Sequence, residues 1–400
     1  MKVGRMRGAA LVLVLGAVAA GCGSSSSSSK SAASSAKGVP TISTTSFTNN
    51  FAAMAQLKSL SSEGKGKVAA ILPDTVSSTR YVEFDQPDIR KALEAAGLPA
   101  SDIIVQNALG SDSTQLTDAQ SDITNGATVL LVDPLDSGVG ASIEKYAAAH
   151  GVPVIDYDRL TLGGNRKYYV SFNNTRVGQT IGQGFVSCVT AWHVTKPQAV
   201  VMHGAVTDNN ATLFYTGYYN DVLKPYFTSG KFVDVANTAG TWDPPTALTE
   251  FEGAYTAHHN INSAVIANDE TAAPIITYLQ THGVKPKTFP TTGQDATLTG
   301  LQNVLSGYQC GTVYKPIYLE AQAATALALY LRAGKTPPSS LVNGTTEDTT
   351  SHVAVPSSLL LPEWVTPGNM KSTIVKDNFV PTGQLCSGAY AAECKAAGIT

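Results

Sequence analysis

Short apolar runs alternate with stretches of helical spacing along most of this 400-residue chain, beginning at Lys67. The first half of the pattern predicts strands at Lys67–Leu72, Asp102–Gln106, Thr128–Val132 and Pro153–Tyr157. Helices are predicted between them at Asp88–Ala96, Ser113–Thr124 and Gly138–His150. Strands that alternate with helices are joined by right-handed crossovers, so the pattern predicts a parallel sheet.

The alternation starts again after residue 160 and continues to about residue 333. Its predicted strands are Tyr168–Ser171, Ala199–Met202, Phe232–Ala236, Ala264–Ala267, Thr288–Thr292 and Gly311–Tyr314. Its predicted helices are Thr175–Trp192, Asn210–Tyr226, Pro245–His258, Thr271–His282, Leu298–Leu305 and Ile317–Ala333. Two α/β units in series favour two lobes that face one cleft, a common place for a small-molecule site.

One N-terminal segment, Ala9–Ala20, is apolar enough to enter a membrane. It follows three basic residues and is too short to span a bilayer, a layout typical of a signal peptide, here residues 1–21. The sequence Ala19-Ala20-Gly21-Cys22 resembles the bacterial lipobox, which implies that Cys22 is diacylated and becomes the new N-terminus. The alternative is an ordinary signal peptide followed by an incidental cysteine.

A Ser-rich segment, residues 23–66, separates this leader from the α/β pattern. It begins with the polyserine run Ser24–Ser29 and has too little apolar surface to order itself, so we predict a flexible linker with one short helical turn at Phe51–Leu60. The formal net charge is −3, and residues 1–21 contain basic but no acidic side chains. The exported chain is therefore mildly acidic, which argues against a nucleic-acid partner.

Four cysteines remain when Cys22 is set aside, an even number in a chain that is exported to a disulfide-permissive compartment. Cys386 and Cys394 lie close together in a polar tail, which favours a local bridge. Cys188 and Cys310 are then the remaining pair, and the alternative for these two is a pair of buried free thiols. No Cys or His spacing indicates a metal site, and we expect no cofactor.

Polar residues follow several predicted strands. Asp158-Arg159 ends one strand, and Gln294-Asp295 and Lys315 end two others. Asp208-Asn209-Asn210 and Asn268-Asp269 stand at strand-to-helix turns, where helix N-caps are the usual alternative. Because ligands of open α/β sheets bind outside the carboxyl ends of strands, these residues predict a ligand clamp, although Asp158-Arg159 also fits a surface ion pair.

The mixture of carboxylates, amides and cations suits sugar hydroxyls, which both donate and accept hydrogen bonds. Trp242 is a candidate to stack on a pyranose face, and its alternative role is a half-buried core tryptophan. A phosphate ligand would require a Gly-rich loop or an excess of cations, and neither is evident in the sequence.

With these strand ends in place, the chain resembles a type I periplasmic binding protein of the D-xylose-binding branch, near the ribose-binding proteins. The likeness runs from about Lys67 to Asp377. It is carried by Val154-Ile-Asp-Tyr-Asp-Arg159, Tyr169-Val-Ser-Phe-Asn173, Val206-Thr-Asp-Asn-Asn210, Asn268-Asp269, Gly293-Gln-Asp-Ala296, Val313-Tyr-Lys-Pro316 and Pro356-Ser-Ser-Leu-Leu360.

The resemblance implies a set of sugar-binding residues. Around the sugar it places Asp158, Arg159, Asn209 or Asn210, Asn268, Asp295 and Lys315, with Trp242 stacked on the ring. The xylose branch has an Arg-Trp pair where this chain has Arg80-Tyr81, and the loop Pro73–Thr79 is slightly longer than usual. These two departures leave the exact pentose or hexose open.

The resemblance also implies two Rossmann-like lobes with parallel central sheets, joined by a three-stranded hinge. We expect one lobe to comprise residues 67–159 and 316–352, and the other 160–315 with part of 353–380, followed by a tail at 381–400. The expected crossings lie near Asp158–Phe172, Gln294–Thr297 and Lys315. Cys188 and Cys310 would then share a lobe, which makes their disulfide reasonable.

The function implied is capture without chemistry. A monomeric, lipid-anchored, extracytoplasmic protein binds a xylose-like pentose or related aldose by lobe closure and delivers it to the permease of an ABC transporter. One alternative is a sugar sensor that signals to a membrane receptor or kinase. Another is a glycoside-processing enzyme, for which no catalytic motif is found, and a sugar-responsive repressor would need a DNA-binding segment in place of the leader.

Overall fold

A computed structural model describes residues 38–399 of the chain. The predicted signal peptide, Cys22 and the polyserine run lie outside these residues. Within them, no helix has the length and hydrophobicity needed to cross a membrane.

The described residues contain twelve strands and thirteen α-helices. The strands are β1 (Lys67–Leu72), β2 (Ile103–Asn107), β3 (Ala127–Val132), β4 (Val154–Tyr157), β5 (Tyr168–Phe172), β6 (Gln198–Met202), β7 (Val233–Asn237), β8 (Ser263–Ile266), β9 (Thr312–Tyr314), β10 (Gly344–Asp348), β11 (Val353–Leu360) and β12 (Glu363–Val365). The helices are α1 (Lys58–Glu63), α2 (Gln86–Ala95), α3 (Asp112–Thr124), α4 (Ser137–Ala149), α5 (Asn174–Ala191), α6 (Asn209–Tyr215), α7 (Lys224–Thr228), α8 (Pro244–Ala257), α9 (Asp269–Thr281), α10 (Leu298–Leu305), α11 (Ile317–Arg332), α12 (Thr382–Leu385) and α13 (Ala391–Ala396). Single π-helical segments precede α2 and link α6 to α7.

The larger lobe is built on a seven-stranded sheet in the order β10-β11-β5-β4-β3-β1-β2. All neighbouring pairs are parallel except β10 with β11. The central strand β1 is buried from Val68 to Leu72, as expected for a parallel strand that is covered on both faces. Helices α2 and α11 cover one face of the sheet, and α3 and α4 cover the other.

The second half of the predicted linker is part of this lobe, so that boundary was wrong. Apolar residues between positions 39 and 60 enter the core beside α2 and α11, and they include Phe51, Met54, Leu57 and Leu60, each at most 2% exposed. The Ser and Thr residues around them hid this apolar spacing, which is too irregular to predict one regular helix.

The smaller lobe contains the sheet β7-β6-β8 and the pair β12-β9. Residues 290–295 lie between the two as an extended segment. Ala264 N–H donates to the Pro290 carbonyl, and Val313 N–H donates to the Gly293 carbonyl. Thr292 Oγ1 takes the place of a backbone partner for Ile266 N–H at 2.8 Å. The predicted strand Thr288–Thr292 is not formed as a regular strand, because residues 288 and 289 form a bend and residues 290–293 bond irregularly to their neighbours.

The chain crosses between the lobes near two of the three expected places, and the third crossing lies elsewhere. Strand β5 pairs with β4 and β11, so residues 160–172 and 353–360 belong to the larger lobe. The crossings follow Phe172, Tyr314 and Leu360. Gln294–Thr297 is not a crossing, because Gln294 bridges to Val313 within the smaller lobe. Asn173 N–H donates to the Leu360 carbonyl at 2.8 Å, which places two hinge strands side by side.

Both expected disulfides are present. Cys188–Cys310 and Cys386–Cys394 each have Cα atoms 5.7 Å apart, within bridging range. The C-terminal tail is not a separate appendage, because Leu385, Cys394 and Ile399 are buried in the core of the smaller lobe.

Candidate functional site

The carboxyl ends of strands from both lobes meet at one cleft. The larger lobe contributes the loop after β1 and the residues after β4, and the smaller lobe contributes the residues after β6, β8, the extended segment 290–295 and β9. The free space between their side chains is about 20 Å³, little more than a water molecule requires. A sugar can enter only when the lobes or these side chains move apart.

Nine of the ten predicted site residues line this cavity. They are Arg80, Tyr81, Asp158, Arg159, Asn210, Trp242, Asn268, Asp295 and Lys315. Of the two asparagines, Asn210 lines the cavity and Asn209 does not. Five lining residues were not among the predicted site residues, namely Ser77, Ser78, Asp208, Phe214 and Gln294.

Arg80 is the centre of a buried ionic network. Its guanidinium donates to both oxygens of Asp85 at 2.7 and 2.8 Å, to Glu320 at 2.6 Å and to Asp158 at 2.9 Å. The Arg80 side chain and the carboxylates of Asp85 and Glu320 are at most 2% exposed. Because four of its five N–H groups are occupied, Arg80 has one left for a ligand.

Asp158 is aimed into the cleft by a left-handed backbone conformation, with φ of 56° at the end of β4. Aspartate tolerates this conformation better than most residues. Its carboxylate accepts from Arg80 and from the Tyr81 hydroxyl at 3.0 Å. Burial alone would raise the pKa of Asp158, but Arg80, Lys315 and Arg159 outweigh it and lower that pKa. Asp158 is therefore an ionised acceptor.

Arg159 lies between carboxylates of the two lobes. Its Nε is 3.7 Å from Asp133 in the larger lobe and 3.6 Å from Asp208 in the smaller lobe. Its Nη2 donates to Ser77 Oγ at 3.1 Å. Both oxygens of Asp133 are buried without a hydrogen bond, and burial raises the pKa of Asp133 well above its usual value. Arg159 thus joins the lobes with donors still available.

The start of α6 supplies a second group of polar atoms. Asp208 is the N-cap of this helix, accepting from Asn210 N–H at 2.9 Å, so the capping interpretation is correct for Asp208. Its other oxygen accepts from Trp242 Nε1 at 3.0 Å. Asn210 donates through Nδ2 to the Asp158 carbonyl at 2.9 Å, a contact that joins the smaller lobe to the end of β4.

Trp242 is half-buried, as the alternative role expected, and it also lines the cavity, where stacking on a sugar stays a prediction. The indole packs on Gly204, where a Cβ would lie 2.2 Å from the ring. Only glycine at position 204 leaves room for this placement. Phe214 meets the indole edge-on at 6.3 Å between ring centroids, which fixes the ring in the cleft wall.

Lys315 and Asp295 form an ion pair in the smaller lobe, with Nζ 2.9 Å from Oδ1. Asp295 also has a left-handed backbone, with φ of 88°, and accepts from Ser78 Oγ of the larger lobe at 3.1 Å. Burial alone would lower the pKa of Lys315, but Asp295 reverses this and raises it. Lys315 therefore stays charged and keeps N–H groups free for hydroxyl acceptors.

Asn268 is an N-cap as well as a lining residue. Its Oδ1 accepts from Thr271 N–H at 3.1 Å at the start of α9, and its Nδ2 donates across the cleft to the Ser77 carbonyl at 3.0 Å. Asn268 can therefore cap α9 and line the cleft at the same time. Among residues 38–399 no group of three or more Asp, Glu, His or Cys is arranged to hold a metal ion.

This fold and site define a class, the two-lobed α/β solute-binding proteins with a hinged cleft. Residues 68–336 match the family described as periplasmic binding protein domain. The chain belongs to the periplasmic binding protein family, and the expected family and type I fold are confirmed.

Curated relatives extend the match over most of the chain. The D-xylose-binding periplasmic protein of Escherichia coli is 36% identical over 289 residues, 71% of this chain and 83% of the relative. The multiple sugar-binding periplasmic receptor ChvE of Rhizobium radiobacter is 29% identical and covers 80% of this chain and 92% of the relative. These relatives are transport or receptor binding proteins, in agreement with the prediction that the chain is not an enzyme.

Solved structures show the same architecture. A carbohydrate transporter solute-binding protein from Chloroflexus aurantiacus, in complex with D-glucose, has a TM-score of 0.70 at 26% identity and covers 79% of this chain and 97% of its own. An ABC transporter solute-binding protein from Clostridium phytofermentans with bound β-D-glucose has a TM-score of 0.71 at 26% identity, with coverage of 80% and 99%.

Proposed function

We propose that this chain captures a neutral monosaccharide, a xylose-like pentose or a related aldose, and delivers it to an ABC transporter permease. The observation that carries the proposal is the convergence of two ion-paired carboxylates, Asp158 and Asp295, on one inter-lobe cavity beside Trp242. Carboxylates accept from sugar hydroxyls, the cations donate to them, and the indole offers a stacking face.

The balance of charge in the cavity supports a neutral ligand. Three carboxylates and three cations line it, and the cations are already paired with carboxylates. An anionic sugar would meet these carboxylates without an unpaired cation to receive it. A neutral polyol instead exchanges hydrogen bonds with paired groups, at a net gain of about 1.5–3 kcal/mol for each bond to a charged partner.

The choice of a pentose or related aldose rests on the relatives. The E. coli relative is described as D-xylose-binding and the structural neighbours hold glucose. In this chain the site has Tyr81, whose ring lies between the guanidinium groups of Arg80 and Arg159 at 5.5 and 5.6 Å. The ring is buried and its hydroxyl is bonded to Asp158, so the wall that it forms is fixed in place.

We also propose that Cys22 is lipidated, so that the protein works as a monomer held on the outer side of the cell membrane. The proposal rests on the lipobox-like sequence and on membership of an extracytoplasmic binding-protein family. Metabolic labelling with a radioactive or alkyne-bearing fatty acid tests it, because Cys22→Ser should abolish incorporation. Labelling that survives this substitution would contradict the assignment.

A sensor role is the second candidate, because one relative is named a receptor. Uptake and sensing use the same closed complex, so the site does not separate them. Deletion of the gene distinguishes the two, since loss of uptake of the labelled sugar is expected for a transport protein, and loss of a sugar response with normal uptake for a sensor.

The test of sugar capture is a thermal-shift screen followed by calorimetry. D-xylose, D-ribose, L-arabinose and D-glucose are compared with the anionic D-glucuronate, and at least one neutral sugar should raise the melting temperature. Asp295→Ala should then weaken binding of that sugar at least tenfold without unfolding the protein, because it removes an acceptor and leaves Lys315 unpaired.

The exposed Asp221, whose only side-chain partner in the described chain is Gln179, provides a matched control in the same lobe. Asp221→Ala should leave affinity unchanged. Equal affinities of the Asp295→Ala variant and the wild type would overturn the assignment of the site, and no stabilisation by any sugar would overturn the function.

A further inference from the structure

The loop between β1 and α2, residues 73–79, is rich in hydroxyl side chains and is held in a fixed turn. Asp74 accepts from the backbone N–H groups of Val76 and Ser77 at 2.8 and 2.7 Å, and from Ser77 Oγ at 2.7 Å. Asn107 donates to the Asp74 carbonyl at 2.7 Å. The loop is therefore ordered by its own lobe and can present its outer end to the other lobe.

That outer end is bonded to α9 of the smaller lobe through Glu270. The Glu270 Oε1 atom accepts from Thr79 N–H at 2.8 Å. It also lies 3.1 Å from Ser78 Oγ, whose single proton is shared with Asp295 at the same distance. Its Oε2 accepts from Asn268 Nδ2 at 3.1 Å, and the same amide donates to the Ser77 carbonyl. Glu270 and Asn268 thus hold three successive loop residues across the cleft.

Glu270 does not belong to the sugar site itself. Neither Glu270 nor Thr79 lines the cavity, whereas the two residues after Thr79, Arg80 and Tyr81, do. Thr79 is exposed, so its N–H would bond to water if the lobes were apart. The contact therefore forms only when the cleft is closed, and it acts on the loop that leads directly into the cation and ring proposed to meet the sugar.

We propose that Glu270 is a closure latch, a positioning residue that binds the 73–79 loop and slows release of the captured sugar. The proposal rests on the proposed function. The hydrogen bonds of Glu270 to Thr79 and Ser78 are among the contacts that the closed form makes and the open form lacks, so the latch lowers the free energy of the closed form. A contact made only in the closed complex affects dissociation, because the encounter of sugar with the open cleft does not involve it.

The test compares Glu270→Ala and Glu270→Gln with Glu252→Ala. Glu252 lies on α8 of the same lobe, and its side chain makes no hydrogen bond or ion pair within residues 38–399. Stopped-flow tryptophan fluorescence with the sugar from the screen gives both rate constants. Glu270→Ala should raise the dissociation rate constant about tenfold, the loss expected when hydrogen bonds across the closed cleft are removed, and change the association rate constant less than about twofold.

Glu270→Gln keeps one acceptor for Thr79 N–H and should give an intermediate dissociation rate, whereas Glu252→Ala should behave as the wild type. A purely structural role for Glu270 at the start of α9 would instead lower the melting temperature without separating the two rate constants. An unchanged dissociation rate in Glu270→Ala would overturn the latch.

Hydrogen–deuterium exchange of the peptide containing residues 73–81, with and without the sugar from the screen, tests the latch directly. Saturating sugar should slow exchange of this peptide more in the wild type and Glu252→Ala than in Glu270→Ala, because the exposed Thr79 N–H loses its acceptor in that variant. If no sugar stabilises the wild type, the proposed function fails. If a sugar binds and protects the peptide equally in the three proteins, the latch is overturned while the proposed function stands.

Discussion

The larger lobe brings Arg80 and Arg159 to the cleft and the smaller lobe brings Lys315. Two of these cations, Arg80 and Lys315, are bonded very differently. Arg80 of the larger lobe donates four hydrogen bonds to three buried carboxylates, Asp85, Asp158 and Glu320. Lys315 of the smaller lobe has a single carboxylate partner, Asp295, at 2.9 Å. Arg80 is therefore fixed by its own lobe, whereas Lys315 keeps donors and freedom to meet a ligand.

This difference indicates a division of work between the lobes. The larger lobe presents a rigid wall whose geometry is set before a sugar arrives. The smaller lobe carries side chains that can exchange an ion pair for hydroxyl groups as the cleft closes. Substitutions at the two cations should therefore separate stability from affinity.

Arg80→Ala should have the largest effect, a loss of folding stability. This change leaves the buried carboxylates Asp85 and Glu320 without their cation, and breaking a buried ion pair in this way costs about 3–5 kcal/mol. The midpoint of urea unfolding should fall accordingly. Arg90→Ala on helix α2, which follows Arg80 in the same lobe, is the control, since Arg90 has no ion pair within the described chain. A midpoint equal to that of the wild type would show that the network is not structural.

Lys315→Met should lower affinity for the sugar more than it lowers folding stability, the reverse of what we expect for Arg80→Ala. Affinity for the sugar should fall at least tenfold, because donors to the ligand are lost, as measured by calorimetry. Stability should fall less than in Arg80→Ala, since Ser78 still donates to Asp295. The exposed Lys224 of the same lobe provides the control, Lys224→Met. A larger loss of stability than in Arg80→Ala would contradict the proposed division.

Arg159→Lys tests the contact that Arg159 makes between the two lobes. Lysine retains the charge but has no second and third nitrogen to reach Ser77, Asp133 and Asp208 together. We expect a larger radius of gyration for the sugar-saturated variant by small-angle scattering, the sign of incomplete closure. Closure equal to that of the wild type would restrict Arg159 to holding the sugar.

The smallest expected effect is a pH dependence of sugar release. Burial, together with the neighbouring carboxylates of Asp295 and Asp269, raises the pKa of Glu270 to about 8 in the closed cleft. A raised pKa means that closure takes up a proton, so the closed form is favoured at low pH and weakened as pH rises through about 8. Dissociation should be faster at pH 9 than at pH 6, and Glu270→Gln should abolish the difference. If the dissociation rate of this variant still depended on pH in the same way, the pH dependence would belong to another titratable group.

The sequence was sufficient to predict most of the cleft because strand ends are defined locally. Asp158, Asp295 and Lys315 each follow a predicted strand, and carboxyl ends of parallel strands meet at one edge of a sheet. The left-handed backbone at Asp158 and Asp295 was not predictable, since aspartate does not require it as glycine often does.

The missed contacts are those made between distant segments. Ser78 reaches Asp295 across 217 positions of the chain, and Thr79 reaches Glu270 across 191. No local pattern distinguishes Ser78 and Thr79 from other loop residues. The lobe boundaries were misplaced for a similar reason, because strand β5 is short and its membership of the larger sheet depends on β11, which follows almost two hundred residues later.

The positions of the cysteines have a practical consequence. Each of the four cysteines between residues 38 and 399 is in a disulfide, and both disulfides lie within the smaller lobe. A protein that starts at residue 38 therefore offers no free thiol to a maleimide dye. One introduced cysteine on each lobe would carry a donor and an acceptor fluorophore, which would turn hinge motion into an optical readout of sugar concentration.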